Sequence, residues 1–276
     1  MSLQYFDERR PLQPPIGYVR DLSERNLTHA PHIEFVRQYD LSRDIATDDI
    51  PIPAPHDREG YFGDDHFRYW ISGLVEQHRL SAFSSPSRYL DFGGCTGRVA
   101  RHFVRDPDCE TWVCDINVNY IDWLELHAPA IRALHTRPIP ALPFDSGYFD
   151  LISCFSVFTH ISESALHYVL ELKRVIRPGG CLYLTVLDES SWTFTRDTEW
   201  LLRSIARTTS VEKLRADLSA PLPERPYIVR YNDAEAYNCN VFYCRDTIER
   251  LWGRHFSRCE IFPMASGYQT GVVLIV

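Results

Sequence analysis

The chain has 276 residues, of which 45% are hydrophobic and 24% are charged, and its formal net charge is -8. This balance is typical of a folded protein with one large domain, or a medium domain with an added lobe, and no apolar run is long enough to cross a bilayer. The negative charge argues against general binding to nucleic acids, which requires a basic face. None of the 8 cysteines falls in a C-x-x-C pair, so no metal site is predicted.

The first ten residues, "MSLQYFDERR", lack the basic start and apolar run of a secretory signal. Together with the unpaired thiols, this predicts a cytoplasmic protein. Residues 1 to about 58 are rich in Pro, Asp and Arg and predict an irregular or partly helical arm. A helix is predicted next, because the apolar residues Phe67, Trp70, Ile71, Leu74 and Val75 recur at helical spacing. Residues 1–84 are therefore assigned to an N-terminal arm and helical lid.

Residues 85–276 alternate short apolar runs with amphipathic segments, which predicts an α/β domain with a parallel sheet covered on both faces. "RPGG" at 177–180 is predicted to stop the helix before it. The stretch from about 188 to 239 is too long for a simple connection and is assigned to an insertion on the substrate side. The C-terminal segment predicts a strand, a turn and a final strand.

The segment "YLDFGGCTGRVARHF" at 89–103 places an acidic residue at a strand end, followed by small residues. Its glycines do not fit the G-x-G-x-x-G spacing of a dinucleotide loop, and no Gly-Lys-Ser or Gly-Lys-Thr closes a phosphate loop. Small side chains let the backbone approach a ligand at the carboxyl edge of a sheet. The residues in question are Asp91, Gly93, Gly94 and Gly97.

A second carboxylate, Asp115, ends the next predicted strand in "VCDINVNY". A carboxylate there can accept hydrogen bonds from both hydroxyls of a ribose. Asp91 followed by a glycine-rich turn suits the positive sulfonium and amino groups of S-adenosylmethionine better than a pyrophosphate. The alternative for Asp91 alone is an aspartate that caps a turn.

At these residues the chain resembles the class I S-adenosylmethionine-dependent methyltransferases, over about residues 87–187. The resembling segments are "LDFGGCTGRVARHF", "CDINVNYIDWL", "LPFDSGYFDLISCFSVFTHIS" and "ELKRVIRPGGCLYLTV". The resemblance is weaker towards the C-terminus, where it looks like a bacterial subgroup acting on glycans and small metabolites. It implies a doubly wound, Rossmann-like fold with a seven-stranded, mostly parallel sheet and one antiparallel edge strand.

The resemblance also implies the cofactor, S-adenosyl-L-methionine, and the residues that hold it. These are Asp91, Gly93, Gly94 and Gly97 on the methionine side, Asp115 for the ribose, Ile116, Leu142 and Phe144 near the adenine, and Phe155 beside the methionine. Cys95 departs from the family, which often has glycine there. A positive φ at this residue would carry a steric cost and weaken cofactor binding. The acidic residue that many relatives have before "LPF" is also missing.

His160, in "SVFTHIS" after the fourth predicted strand, is the predicted general base, since histidine titrates near neutral pH. The alternative is a structural histidine at the start of the next helix. Trp192, Tyr237 and Tyr243 are predicted to contact the substrate. The acceptor is predicted to be an oxygen of a sugar, glycan intermediate or other small metabolite. Transfer to nitrogen and a non-catalytic cofactor-binding module remain as alternatives.

Overall fold

The computed structural model describes residues 50–59, 61–63, 65–206, 209–230 and 239–276. Residues 1–49 of the predicted arm therefore lie outside the described residues. The chain divides into two compact units, Met1–Pro138 and Ile139–Val276.

The first unit builds three parallel strands with helices between them. A 3-10 turn at Pro55–Arg58 comes before the first helix. The elements that follow are α1 (His66–Ser81), β1 (Arg88–Phe92), α2 (Ala100–Phe103), β2 (Glu110–Asp115), α3 (Val118–His127) and β3 (Arg132–His135). Strand β2 pairs in parallel with both β1 and β3. The carboxyl ends of the three strands therefore point the same way.

Helix α1 lies where the apolar spacing predicts it. The Asp65 side chain accepts a hydrogen bond from the Arg68 backbone N–H and so caps its N-terminus. Trp70, Ile71 and Leu74 are buried, so the predicted apolar face packs into the core.

The second unit holds the rest of the sheet and a separate helical layer. Its elements are β4 (Phe149–Cys154), α4 (Ala165–Val175), β5 (Ile176–Val186), α5 (Glu189–Asp197), α6 (Glu199–Ala206), α7 (Val211–Leu218), β6 (Tyr227–Arg230), β7 (Cys239–Phe242), α8 (Arg245–Leu251), β8 (Arg258–Ser266) and β9 (Gln269–Ile275). Helix α4 ends at Val175, as "RPGG" predicts, but "RPGG" itself belongs to β5.

The main sheet has seven strands, as predicted, and their order is β3-β2-β1-β4-β5-β9-β8. One detail of the prediction is wrong. The antiparallel strand is β9, which pairs with β5 on one side and β8 on the other, so it is internal and β8 forms the edge. The last two strands form a hairpin, and the returning strand β9 pairs with β5.

The described part of the insertion after β5 folds into short helices and a pair of strands. It contains α5, α6 and α7 and the hairpin of β6 and β7. Its own apolar core is built from Leu187, Trp192, Leu201, Leu202, Ile205, Ala206, Leu214, Leu218, Val229 and Phe242. The buried Asp188 fixes its start, because its carboxylate caps α5 and pairs with Arg245 at 2.5 Å.

Candidate functional site

The loop after β1 folds closely over Asp91. Gly93 and Gly97 have φ values of 69° and 77°, which favour glycine. A Cβ on Gly94 would lie 2.8 Å from the Asp91 Cγ, so only glycine lets the backbone pass this near the carboxylate. Asp91 itself is buried. The predicted small residues therefore serve the approach of the loop backbone to Asp91.

Cys95 occupies the centre of this loop with a φ of 54°. The conformation carries the steric cost predicted for a non-glycine residue at this position. Its backbone N–H donates to Asp115 Oδ2 at 3.0 Å, which holds the strained residue in place. Burial and the nearby Asp115 raise the pKa of the Cys95 thiol well above its ordinary value, so the sulfur stays protonated and is a poor nucleophile.

Asp115, the last residue of β2, is hydrogen-bonded to the loop after β1. Besides the Cys95 N–H, its carboxylate accepts the Asn117 backbone N–H at 2.8 Å. A carboxylate has about four lone-pair positions, so these backbone bonds leave acceptor capacity for the hydroxyls of a ribose. Burial is the main cause that raises the pKa of Asp115, and the neighbouring Glu59 adds to it. The Asp115 carboxylate, with its unused acceptor positions, fits a nucleoside ligand.

We expect Asp115→Asn to stabilise the cofactor-free protein increasingly as the pH rises. Because the folded state raises the pKa of Asp115, it holds this proton more tightly than the unfolded chain does. The wild type therefore loses stability as the pH rises from about 4, the ordinary aspartate range, through the raised folded-state pKa. Asparagine does not titrate. Urea unfolding of both proteins at several values between pH 5 and 7.5 measures this, and a pH-independent difference would contradict it.

A second prediction isolates the strain at residue 95. We expect the free energy of unfolding of Cys95→Gly to be about 1 kcal/mol higher than that of Cys95→Ala. Both variants lack the thiol, but only alanine keeps a Cβ at the positive φ of residue 95. Urea denaturation gives both values. The same pair at Cys259, in strand β8, should reverse the order, since glycine weakens a strand. Equal stabilities at residue 95 would mean that the loop relaxes around the Cβ without cost.

Two residues beside the loop were missed by the sequence analysis. The Tyr120 hydroxyl, from α3, donates to the Glu59 carboxylate, and burial and the nearby Cys95 raise the pKa of this phenol far above its ordinary value. The segment before α1 also reaches the loop, because the Thr96 hydroxyl donates to the Asp57 carbonyl at 3.0 Å. Residues 55–59 therefore pack against the β1 loop, a contact across about 40 positions that local spacing does not reveal.

Ile116 follows Asp115 directly and is 43% exposed. An exposed isoleucine at the exit of β2 offers an apolar surface next to the carboxylate. This is the surface that the predicted adenine contact requires.

In the second unit, a buried polar network holds the end of β4. Ser156 has a φ of 58°, and its backbone N–H donates to Thr185 Oγ1 at 2.8 Å. The Thr185 hydroxyl donates to Gln269 Oε1 at 2.6 Å, and Gln269 Nε2 lies 2.8 Å from Ser156 Oγ. The network fixes the backbone next to Phe155, whose ring lies 5.4 Å from that of Tyr183. Phe155 itself is half-buried and lies at the carboxyl end of β4.

His160 lies on the loop after β4. Its Nδ1 is 2.6 Å from the Cys239 carbonyl oxygen, which can only accept, so Nδ1 carries the proton and the lone pair of the neutral ring is on Nε2. Val241 N–H also donates to the Thr159 carbonyl at 2.8 Å, so strand β7 supports this loop. The ring is thereby held in the tautomer that a general base needs.

Leu142 and Phe144 lie on a segment that α4 clamps. Arg174 donates to both of their carbonyl oxygens, at 3.0 and 2.8 Å, and the Leu142 N–H donates to Glu171 at 2.7 Å. Leu142 is buried, and Phe144 packs edge-on against Phe149. Helix α4 therefore fixes the backbone of the segment that is predicted to contact the adenine, and both belong to the second unit.

The predicted substrate residues lie away from solvent where the structure describes them. Trp192 is 4% exposed and donates its Nε1–H to the Ala220 carbonyl, and Tyr243 is 2% exposed. Trp192 lines a cavity of about 590 Å³ whose described lining residues belong to the insertion, among them Asp217 and Tyr227. Tyr237 lies outside the described residues.

Within the described ranges, no helix has the length and apolarity to span a membrane. The same part of the chain contains no cluster of His, Cys, Asp and Glu arranged to bind a metal ion.

Comparison with known proteins matches residues 90–184 to a family model described as a methyltransferase domain. No curated protein is significantly similar in sequence. A solved structure from Pyrococcus horikoshii OT3 is 15% identical, with a TM-score of 0.52 over 77% of this chain and 92% of that one. The glycopeptide N-methyltransferase MtfA with (S)-adenosyl-L-homocysteine is 12% identical, with a TM-score of 0.51 over 74% and 90%.

A Nostoc punctiforme PCC 73102 protein described as a proposed O-methyltransferase is 12% identical, with a TM-score of 0.50 over 79% of this chain and 62% of that one. At these identities the structures establish a shared fold, and the matched family model covers both strand ends that carry Asp91 and Asp115. Residues 90–184 thus match a methyltransferase domain, and the chain shares the fold of these structures.

Proposed function

We propose that the protein transfers a methyl group from S-adenosylmethionine to an oxygen of a small molecule. Asp115 carries the proposal, because a buried carboxylate with spare acceptor capacity at the end of β2 fits the two hydroxyls of a ribose. The loop of Gly93, Gly94 and Gly97 would accept the methionine part, and Ile116 the adenine. We extend the adenine contact to Leu142 and Phe144 and the methionine contact to Phe155.

The cofactor supplies a methyl carbon already activated by positive sulfur, so this chain has to align the acceptor, exclude water and move one proton. A hydroxyl acceptor must lose that proton, whereas an uncharged amine attacks directly. His160 supports an oxygen acceptor, because the bond from Nδ1 to Cys239 leaves Nε2 as the site that takes the proton.

The acceptor class is inferred from the chemistry of the site. The chain's negative charge does not favour nucleic acid, and a sugar, glycan intermediate or other small metabolite is the substrate class we propose. Proteins of similar fold include one named as an N-methyltransferase and one described as a proposed O-methyltransferase. Transfer to nitrogen is therefore the alternative that the experiment must separate.

Turnover separates catalysis from cofactor binding alone. Methyl-labelled S-adenosylmethionine is incubated with the protein and matched pairs of small acceptors that differ only in carrying a hydroxyl or an amine. We expect label in the hydroxyl compounds together with release of S-adenosylhomocysteine. Label confined to amines would replace the oxygen proposal by the nitrogen alternative. Tight cofactor binding with no labelled product from any acceptor would instead indicate a binding module, for which the strained Cys95 is the motivating feature.

A further inference from the structure

Three aromatic side chains of the second unit form a cluster that reaches the surface. Phe194 is 36% exposed and Trp200 is 61% exposed, and Tyr268 is half-buried between them. The rings of Phe194 and Tyr268 are parallel within 3°, with centroids 6.4 Å apart, and Trp200 meets Tyr268 edge-on at 6.1 Å. We call Phe194, Trp200 and Tyr268 the aromatic platform. Solvent exposure of rings this large is unfavourable and marks interaction sites when the rings are grouped.

The platform lies at the ligand-binding edge of the sheet. Tyr268 belongs to the turn between β8 and β9, and Thr270 of β9 pairs with Val186, the last residue of β5. Gln269, the first residue of β9, contacts Ser156, which lies two residues after the end of β4. The turn is therefore at the carboxyl ends of β4 and β5. In open α/β sheets, ligands bind outside the carboxyl ends of the strands.

The backbone segments that carry two of the platform rings are held together. Ser191 lies one helical turn before Phe194 on α5, and its hydroxyl donates to the Tyr268 carbonyl at 2.7 Å. The start of α5 is fixed in turn by the buried Asp188. The helix that carries Phe194 is thus bonded to the turn that carries Tyr268. A helix and a turn that are already joined need little rearrangement when a ligand stacks on their rings.

The charged side chains that flank Phe194 and Trp200 along α5 and α6 are paired with other charged side chains. Arg196 makes two hydrogen bonds to Asp197, and Glu199 accepts from both Arg203 and Arg215. The recognition chemistry that the platform offers is therefore the faces and edges of its rings. Parallel faces with a third ring edge-on suit a flat aromatic partner, whereas a sugar ring requires hydrogen-bonding groups around it.

We propose that the aromatic platform binds a planar, uncharged aromatic or heteroaromatic ring of the methyl acceptor. This rests on the proposed methyl transfer and narrows its substrate class to acceptors that carry such a ring. It also moves acceptor recognition from Trp192 and Tyr243, which are buried, to neighbours that reach solvent.

The experiment uses 2-naphthol as the aromatic probe and methyl α-D-glucopyranoside as the sugar probe. Ligand-observed NMR titrations give the Kd of each for the wild type, Phe194→Leu and Trp200→Leu. The matched control is Phe262→Leu, because Phe262 is an equally exposed aromatic residue of the same unit, on β8. Each platform variant should raise the Kd of 2-naphthol about two- to tenfold, the usual loss for one aromatic stacking partner, and the control should not change it.

Calorimetric titration of S-adenosylmethionine into the same proteins keeps the two proposals distinguishable, because the platform variants should leave cofactor affinity unchanged. Failure of cofactor binding in every protein would count against methyl transfer and not against the platform. Equal naphthol affinity in wild type and both variants would overturn the platform, as would tighter binding of the glucoside. A wild-type dimer that becomes monomeric in Trp200→Leu would also overturn it, since the rings would then form a subunit contact.

Discussion

Replacing Asp115 with alanine is expected to raise the Kd of S-adenosylmethionine at least 100-fold. The substitution removes the acceptor of two ribose hydroxyls, and a hydrogen bond to a charged group contributes about 1.5–3 kcal/mol. The loss is thus about 3 kcal/mol or more, and each 1.4 kcal/mol is a factor of ten in Kd. It also removes the acceptor of the Cys95 N–H, so the strained loop loses its anchor. Isothermal titration calorimetry measures the effect.

The control for this experiment is Asp108→Ala, since Asp108 is an exposed aspartate of the same unit that lies before β2. Its Kd should equal that of the wild type. A circular dichroism melt of each variant establishes that the protein is folded at the temperature of the titration. If folded Asp115→Ala binds the cofactor as tightly as the wild type, Asp115 is not the ribose ligand. The acceptor capacity at the end of β2 would then serve the loop alone.

The signals that indicate the proposed cofactor site are local. A strand followed by an acidic residue and glycines, and a second strand ending in an acidic residue, can each be read from a short window of sequence. A steric cost at Cys95 was expected if its φ is positive, and its φ of 54° meets that condition. The fold followed from the alternation of strands and helices over residues 87–187.

What could not be predicted depends on contacts between distant positions. Glu59 and Tyr120 meet across 61 residues, and nothing near either residue indicates the other. The insertion gave no clear pattern as one stretch, because three short helices and a hairpin share a small core. Trp192 faces that core and Trp200 faces solvent. Both residues are tryptophan, so only the packing of the folded chain distinguishes the core residue from the surface residue that can bind a ligand.

The internal position of β9 is also a long-range property. A C-terminal hairpin can add to a sheet edge with either strand inward, and the apolar content of the two strands decides between these arrangements. Residues 269–274 of β9 are buried, whereas β8 is largely half-exposed, with Pro263 exposed within it. A strand with proline suits a sheet edge, because proline cannot donate to a ladder.

The second large effect is expected at His160. If this residue removes the proton from a hydroxyl acceptor, His160→Asn should lower kcat by about 100- to 10,000-fold, the usual contribution of a general base. Asparagine is the informative substitution, because its side-chain N–H₂ can still donate to the Cys239 carbonyl as Nδ1 does. The loop after β4 therefore keeps its support while Nε2 is lost. His160→Gln, which reaches further, tests whether any amide at this site restores activity.

The pH profile distinguishes a base from a merely structural histidine. Wild-type kcat/KM should fall towards acidic pH as an unprotonated imidazole is lost, and the variants should lack this limb. His167→Gln, at an exposed position on α4, should reproduce the wild-type profile. Equal rates and equal profiles in His160→Asn and the wild type would assign His160 to the support of the loop. If the acceptor is a hydroxyl, another group would then have to remove its proton. If the acceptor is an amine, the equal rates would agree with direct attack by an uncharged nitrogen, which needs no base.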